Sequence, residues 1–106
     1  MERRRNRRFD LFLPLQILRN GAAGALHAAT TRNISSGGVL FAAEIEVDPG
    51  GAIEYVVTLS QANDAKVDLR CVGKVVRCHK APPETTPASN LIAATLDRYE
   101  FIRTSS

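Results

Sequence analysis

Five arginines, at positions 3, 4, 5, 7 and 8, precede the first apolar run of this chain. A guanidinium is a planar fork of N–H donors that meets phosphate or carboxylate oxygens two at a time. A cluster built from arginine, with no lysine in it, therefore points to an anionic partner recognised by geometry as well as by charge. Further along, Asn33 and Ser35 stand two positions apart, which on an extended backbone puts an amide and a hydroxyl on one face. Gly37 and Gly38 follow, a residue type that permits the close approach of another backbone or of a ligand. A charged fork and a neutral polar shelf are the chemistry on offer.

Other chemistries lack their parts. His27 and His79 have no serine or carboxylate arrangement around them that would make a catalytic set, so no enzyme is expected. Cys71, Cys78 and His79 invite a metal reading, but an odd separation along a strand sends the two thiols to opposite faces unless Gly73 resets the register, and zinc sites use tighter cysteine pairs. Neither a metal nor a cofactor is expected. The glycines form no dinucleotide fingerprint and no P-loop.

The elements that must position the arginines and the shelf divide the chain unevenly. Residues 1–8 hold five of the 14 basic groups and one of the 11 acidic ones, so residues 9–106 are nearly neutral. This reads as a flexible arginine-rich arm over 1–8, mobile through its own repulsion, and a folded domain over 9–106. Two cysteines in 106 residues fit a reducing cytoplasm. The arginines followed by "LFLPLQIL" imitate a secretion signal, but Asp10, Pro14 and Gln16 interrupt the apolar part, and cleavage would remove a patterned strand. No apolar run approaches the ~20 residues that span a bilayer, so no membrane span is expected.

From Phe9 onward the odd positions Phe9, Leu11, Leu13, Leu15 and Ile17 are apolar, a period of two that marks a strand. A second strand is expected from Leu26 to Ser35, with Thr31, Asn33 and Ser35 on one face and Thr30 and Ile34 on the other. "VLFAAEI" (39–45), "IEYVVTLS" (53–60), a long strand from Lys66 with a bulge or bend at Gly73, and "LIAATL" (91–96) continue the series. Asp97 and Glu100 have capping-box spacing, so "DRYEFIRT" is expected as a short C-terminal helix that lays Tyr99 or Phe101 on the barrel mouth. The fold class is all-β: a small six-stranded antiparallel barrel closed by that helix.

The arginine cluster and the polar segment, each in order and each attached to a strand, resemble the PilZ domain family of bacterial cyclic di-GMP receptors. That family carries RxxxR, often RRxxR, just before its first strand and [DN]xSxxG one hairpin later. Here Arg4, Arg5 and Arg8 fill the first motif, and Asn33, Ser35 and Gly38 fill the second. "VGKVVR" (72–77) is similar to a later segment of the family. Arg3 and Arg7 also satisfy RxxxR; the frame of Arg4 and Arg8 is preferred because Arg8 directly precedes the apolar Phe9.

The resemblance implies a receptor that clasps cyclic di-GMP with those six residues and passes the signal to a protein partner not identified by the sequence. The ligand presents two phosphodiester anions and two guanines, and an arginine fork matches both phosphate oxygens and the guanine O6/N7 edge. Asn33 and Ser35 would supply neutral contacts, and Gly38 would keep the surface free of a Cβ. Two alternatives remain open: a PilZ-like interaction module that no longer binds ligand, and a nucleic-acid-binding protein using the basic arm. The chain has no Trp and only six aromatic residues, which speaks against a base-stacking platform.

Overall fold

The computed structural model describes residues 11–21, 26–62, 65–80 and 90–105. The segment expected as an arginine-rich arm and the proline-rich residues 81–89 lie outside them. Among the described residues there are seven strands and no helix: β1 (Pro14–Asn20), β2 (His27–Ser35), β3 (Gly38–Ala43), β4 (Ala52–Ala62), β5 (Ala65–Lys80), β6 (Asn90–Thr95) and β7 (Arg98–Ser105). Six of them close a barrel in the order β1-β2-β3-β6-β5-β4, with β4 pairing back onto β1; every pairing is antiparallel.

Alternation explains the core. Leu15 and Ile17 of β1, Val39, Phe41 and Ala43 of β3, Ile53, Tyr55 and Val57 of β4, and Ile92 and Ala94 of β6 all point inward and are buried. Full burial of each larger side chain contributes about 1.5–3 kcal/mol. Phe41 and Tyr55 pack with ring centroids 6.0 Å apart at the centre. The Tyr55 hydroxyl donates to the Thr95 carbonyl at 3.0 Å, so its polar tip is satisfied. Burial raises the Tyr55 phenol far above its ordinary value and pushes the Cys71 thiol up to about 11, so both stay protonated and inert near neutrality. The first strand starts later than its apolar pattern: β1 begins at Pro14, whose missing N–H is tolerated at a strand start.

The C-terminal segment corrects the sequence expectation. Residues 98–105 form β7, not a helix, and pair with residues 65–72 of β5. β5 is 16 residues long, while β6 pairs only with its second half, from Val75 to Lys80. The first half of β5 would otherwise leave an edge of unpaired backbone groups beyond β6. Tyr99, Phe101, Ile102 and Thr104 are strand-favouring residues, and their propensity together with that open edge outweighs a two-residue capping signal. The Asp97 N–H, which a capping box would have paired with the Glu100 side chain, donates instead to the Val72 carbonyl at 3.0 Å.

Between β6 and β7 the chain turns a corner over Gly73. A Cβ at Gly73 would sit 1.9 Å from the Thr95 carbonyl oxygen, so only glycine fits there. The Lys74 N–H donates to the Thr95 hydroxyl at 2.9 Å and holds the same corner. Gly73 itself keeps register with Ile53, and the extra residue of β5 against β6 is Val76, between Val75 and Arg77. That shift lets Cys78, like the fully buried Cys71, pack against the core.

Candidate ligand-binding site

A bulge in β2 decides which way the polar shelf faces. Thr31 pairs with Phe41 and Asn33 with Leu40, which leaves Arg32 as the extra residue. The strand therefore does not keep one phase from Leu26 to Ser35. Thr31 points into the core and is fully buried, whereas Asn33 and Ser35 beyond the bulge share the outer face. Ile34, opposite Val39, packs against the core between them.

Ser35 and Gly38 are paired across the β2–β3 turn. The Ser35 hydroxyl accepts from the Gly37 N–H at 3.3 Å and donates to the Gly38 carbonyl at 3.4 Å, both long contacts that hold it loosely. Gly38 has a structural reason of its own: a Cβ there would come within 2.7 Å of the Ala94 carbonyl oxygen on β6.

The second bulge, at Val76 of β5, faces the first across the surface. It turns two successive side chains outward, Val76 and Arg77, both exposed. Between the bulged strands lies a concavity of about 240 Å³, with Asn33, Ser35 and Gly38 on one side, Val76 and Arg77 on the other, and Ala93 in the floor. Enclosing pockets for drug-sized ligands run to about 300–1,000 Å³, so the described residues make an open shelf. Among the described residues no carboxylate pairs with Arg77.

Thr31 also fixes where the N-terminal segment runs. Its backbone N–H donates to the Leu13 carbonyl at 2.9 Å, its hydroxyl accepts from the Leu13 N–H at 2.8 Å, and the same hydroxyl donates to the Leu11 carbonyl at 2.5 Å. The Arg32 guanidinium lies 6.0 Å from the centroid of the exposed Phe12 ring. Residues 11–13 are thus hitched to β2 directly before Asn33.

A second concavity, of about 410 Å³, lies against β4, β5 and β7 and is lined by Glu54, Arg70, Val72, Arg98, Tyr99 and Glu100. Its lining holds two carboxylates, and one of its two arginines is already engaged. Arg70 donates from Nε to Glu54 at 2.8 Å and makes a further contact through Nη2, and these bonds raise the Arg70 pKa. Arg19 approaches the same carboxylate at 3.9 Å.

Of the residues singled out in the sequence, Asn33, Ser35 and Gly38 come together on one surface, while Arg4, Arg5 and Arg8 lie outside the described residues. Arg77 and Val76 were not foreseen as site residues. "VGKVVR" marked their segment, but a regular strand would have sent the two side chains to opposite faces. Among the described residues no group of three or more His, Cys, Asp or Glu side chains is placed to hold a metal, and no helix is long and apolar enough to cross a membrane.

Comparison with known proteins accords with this architecture. The profile of the PilZ domain matches residues 2–85, which include both motifs and most of the barrel. The Bacillus subtilis inhibitor of motility, MotI/DgrA, superposes with a TM-score of 0.73 at 17% identity, covering 94% of this chain. This chain spans 45% of that protein's length. The PilZ domain of YcgR from Escherichia coli, solved with c-di-GMP, superposes with a TM-score of 0.65 at 14% identity, over 91% of this chain and 79% of that one. No curated protein matches. With four-fifths of its residues matched by the family profile and its strands closed into the same barrel, the chain belongs to the PilZ domain family.

Proposed function

We propose that this domain is a receptor for cyclic di-GMP, bound on the shelf of Asn33, Ser35 and Gly38 and clasped from the N-terminal side by Arg4, Arg5 and Arg8. The observation that carries the reading is the hitch at Thr31, which brings the described N-terminal segment onto β2 beside the shelf. Arg8 is three residues before Leu11, a span of at most roughly 11 Å of extended chain. The shelf is open and carries a single cation among its described lining residues, so a dianionic dinucleotide would need further positive charge and a second wall. Arg4, Arg5 and Arg8 would supply both. The neutral amide and hydroxyl suit a guanine edge, and the forks suit phosphate oxygens.

On this reading residues 1–8 act as an arm that orders over the barrel when ligand neutralises it. The change in surface is what a protein partner would sense. The protein works as a receptor and not as an enzyme, without cofactor or metal, and its two free cysteines suit a reducing cytoplasm. The alternative of an interaction module without ligand draws on Tyr99 and Phe101, which are exposed on β7 in an edge-to-face pair with centroids 6.0 Å apart.

Calorimetric titration of the full chain with cyclic di-GMP, GMP and cyclic di-AMP separates these readings. Saturable heat with cyclic di-GMP and none of comparable affinity with the other two is the expected result. No heat with cyclic di-GMP at millimolar-range sensitivity would leave the interaction module as the better account.

A further inference from the structure

We propose that Arg77 is a phosphate-binding residue of this site, a fixed cation built into the barrel wall opposite the serine–asparagine shelf. The inference rests on the cyclic di-GMP reading and adds a residue outside both motifs. Three observations carry it. Arg77 lines the same concavity as Asn33, Ser35 and Gly38. It faces outward because Val76 is an extra residue in β5, a distortion of the kind that re-aims a side chain at the cost of regular pairing. Among the described residues its charge is met by no carboxylate, in contrast to Arg70 and Arg19, which both reach Glu54.

The chemistry of the lining selects phosphate over the base. Asn33 and Ser35 provide neutral donors and acceptors, which match the edge of a guanine. The remaining described lining residues are glycine, threonine and aliphatic side chains, so a phosphodiester lodged here has Arg77 as its one described charged partner. Val76, half exposed beside it, offers an apolar contact to the face of a ribose or a base.

The test is titration of cyclic di-GMP into the full-length wild-type chain and into Arg77→Gln and Arg77→Lys, each at low and high salt, with cyclic di-AMP as the second ligand. Thermal unfolding of the three proteins controls for folding; substitution of an exposed residue that no described carboxylate pairs with is not expected to move it. Arg77→Gln should weaken binding about ten- to a hundredfold at low salt, the range for losing a charge-assisted hydrogen bond, and should flatten the salt dependence. Arg77→Lys should recover most of the affinity and the salt dependence, because a phosphate accepts an ammonium where a guanine edge requires the fork. Unchanged affinity in Arg77→Gln, with the wild type binding normally, overturns this assignment alone. Failure of Arg77→Lys to recover, together with loss of preference over cyclic di-AMP, overturns the phosphate role in favour of base reading. Absence of wild-type binding overturns the receptor reading, and this one with it.

Discussion

The concavity flanked by β2, β3, β6 and β5 measures about 240 Å³ and the one against β4, β5 and β7 about 410 Å³, and they differ in what their charges already do. In the larger, Glu54 holds Arg70 and draws Arg19, while Glu100 adds a second carboxylate to the lining. An anion entering there meets two carboxylates, the Arg70 guanidinium already engaged by Glu54, and Arg98, whereas the smaller concavity has no carboxylate in its described lining. In the smaller, the amide, the hydroxyl and the Arg77 guanidinium face no acid among the described residues. Size alone would select the larger concavity. The state of the hydrogen-bonding groups selects the one that carries the sequence motif.

The two regions meet at the Thr95 corner, and substitutions on either side sharpen or break the contrast. Arg4→Ala or Arg8→Ala should abolish measurable cyclic di-GMP binding in calorimetry while leaving the thermal midpoint unchanged; retained binding in both would shift the frame to Arg3 and Arg7 or dissolve the role of the arm. Gly73→Ala places a Cβ against the Thr95 carbonyl and should destabilise the fold by about 1–3 kcal/mol, read as a lower urea midpoint. Because Thr95 also lines the smaller concavity, the same variant should weaken binding there. Ser35→Ala should cost about 1–2 kcal/mol of binding energy, near tenfold in affinity, through an unmet polar group on the ligand. Glu54→Gln frees Arg70 in the larger concavity and should alter cyclic di-GMP affinity by less than about twofold. A larger change would mean that the contrast between the two sites has been misjudged.

Much of this molecule was legible before its structure. The alternation of Leu15 with Ile17, and of Ile53 with Tyr55 and Val57, states which face of each strand is buried, because a strand's side-chain period is fixed at two. The shelf residues were legible for the same reason: Asn33 and Ser35 share a face in any extended backbone. What stayed hidden was parity across a bulge. Thr31 and Asn33 are also two apart, yet one is in the core and the other outside, since Arg32 adds a residue that only the pairing with β3 reveals. Arg77 escaped notice for the matching reason in β5.

The sequence by itself determined the residue types that can meet an anionic nucleotide, their order along the chain, and the apolar faces that close the barrel. These are local properties, set by side-chain chemistry and a period of two. Only the tertiary structure decided that residues 98–105 become a strand, that Gly38 and Gly73 admit neighbouring carbonyls, and that two bulged strands bring Arg77 opposite Ser35. Each of those outcomes depends on a partner strand distant in sequence, whose register and open edge no local pattern encodes.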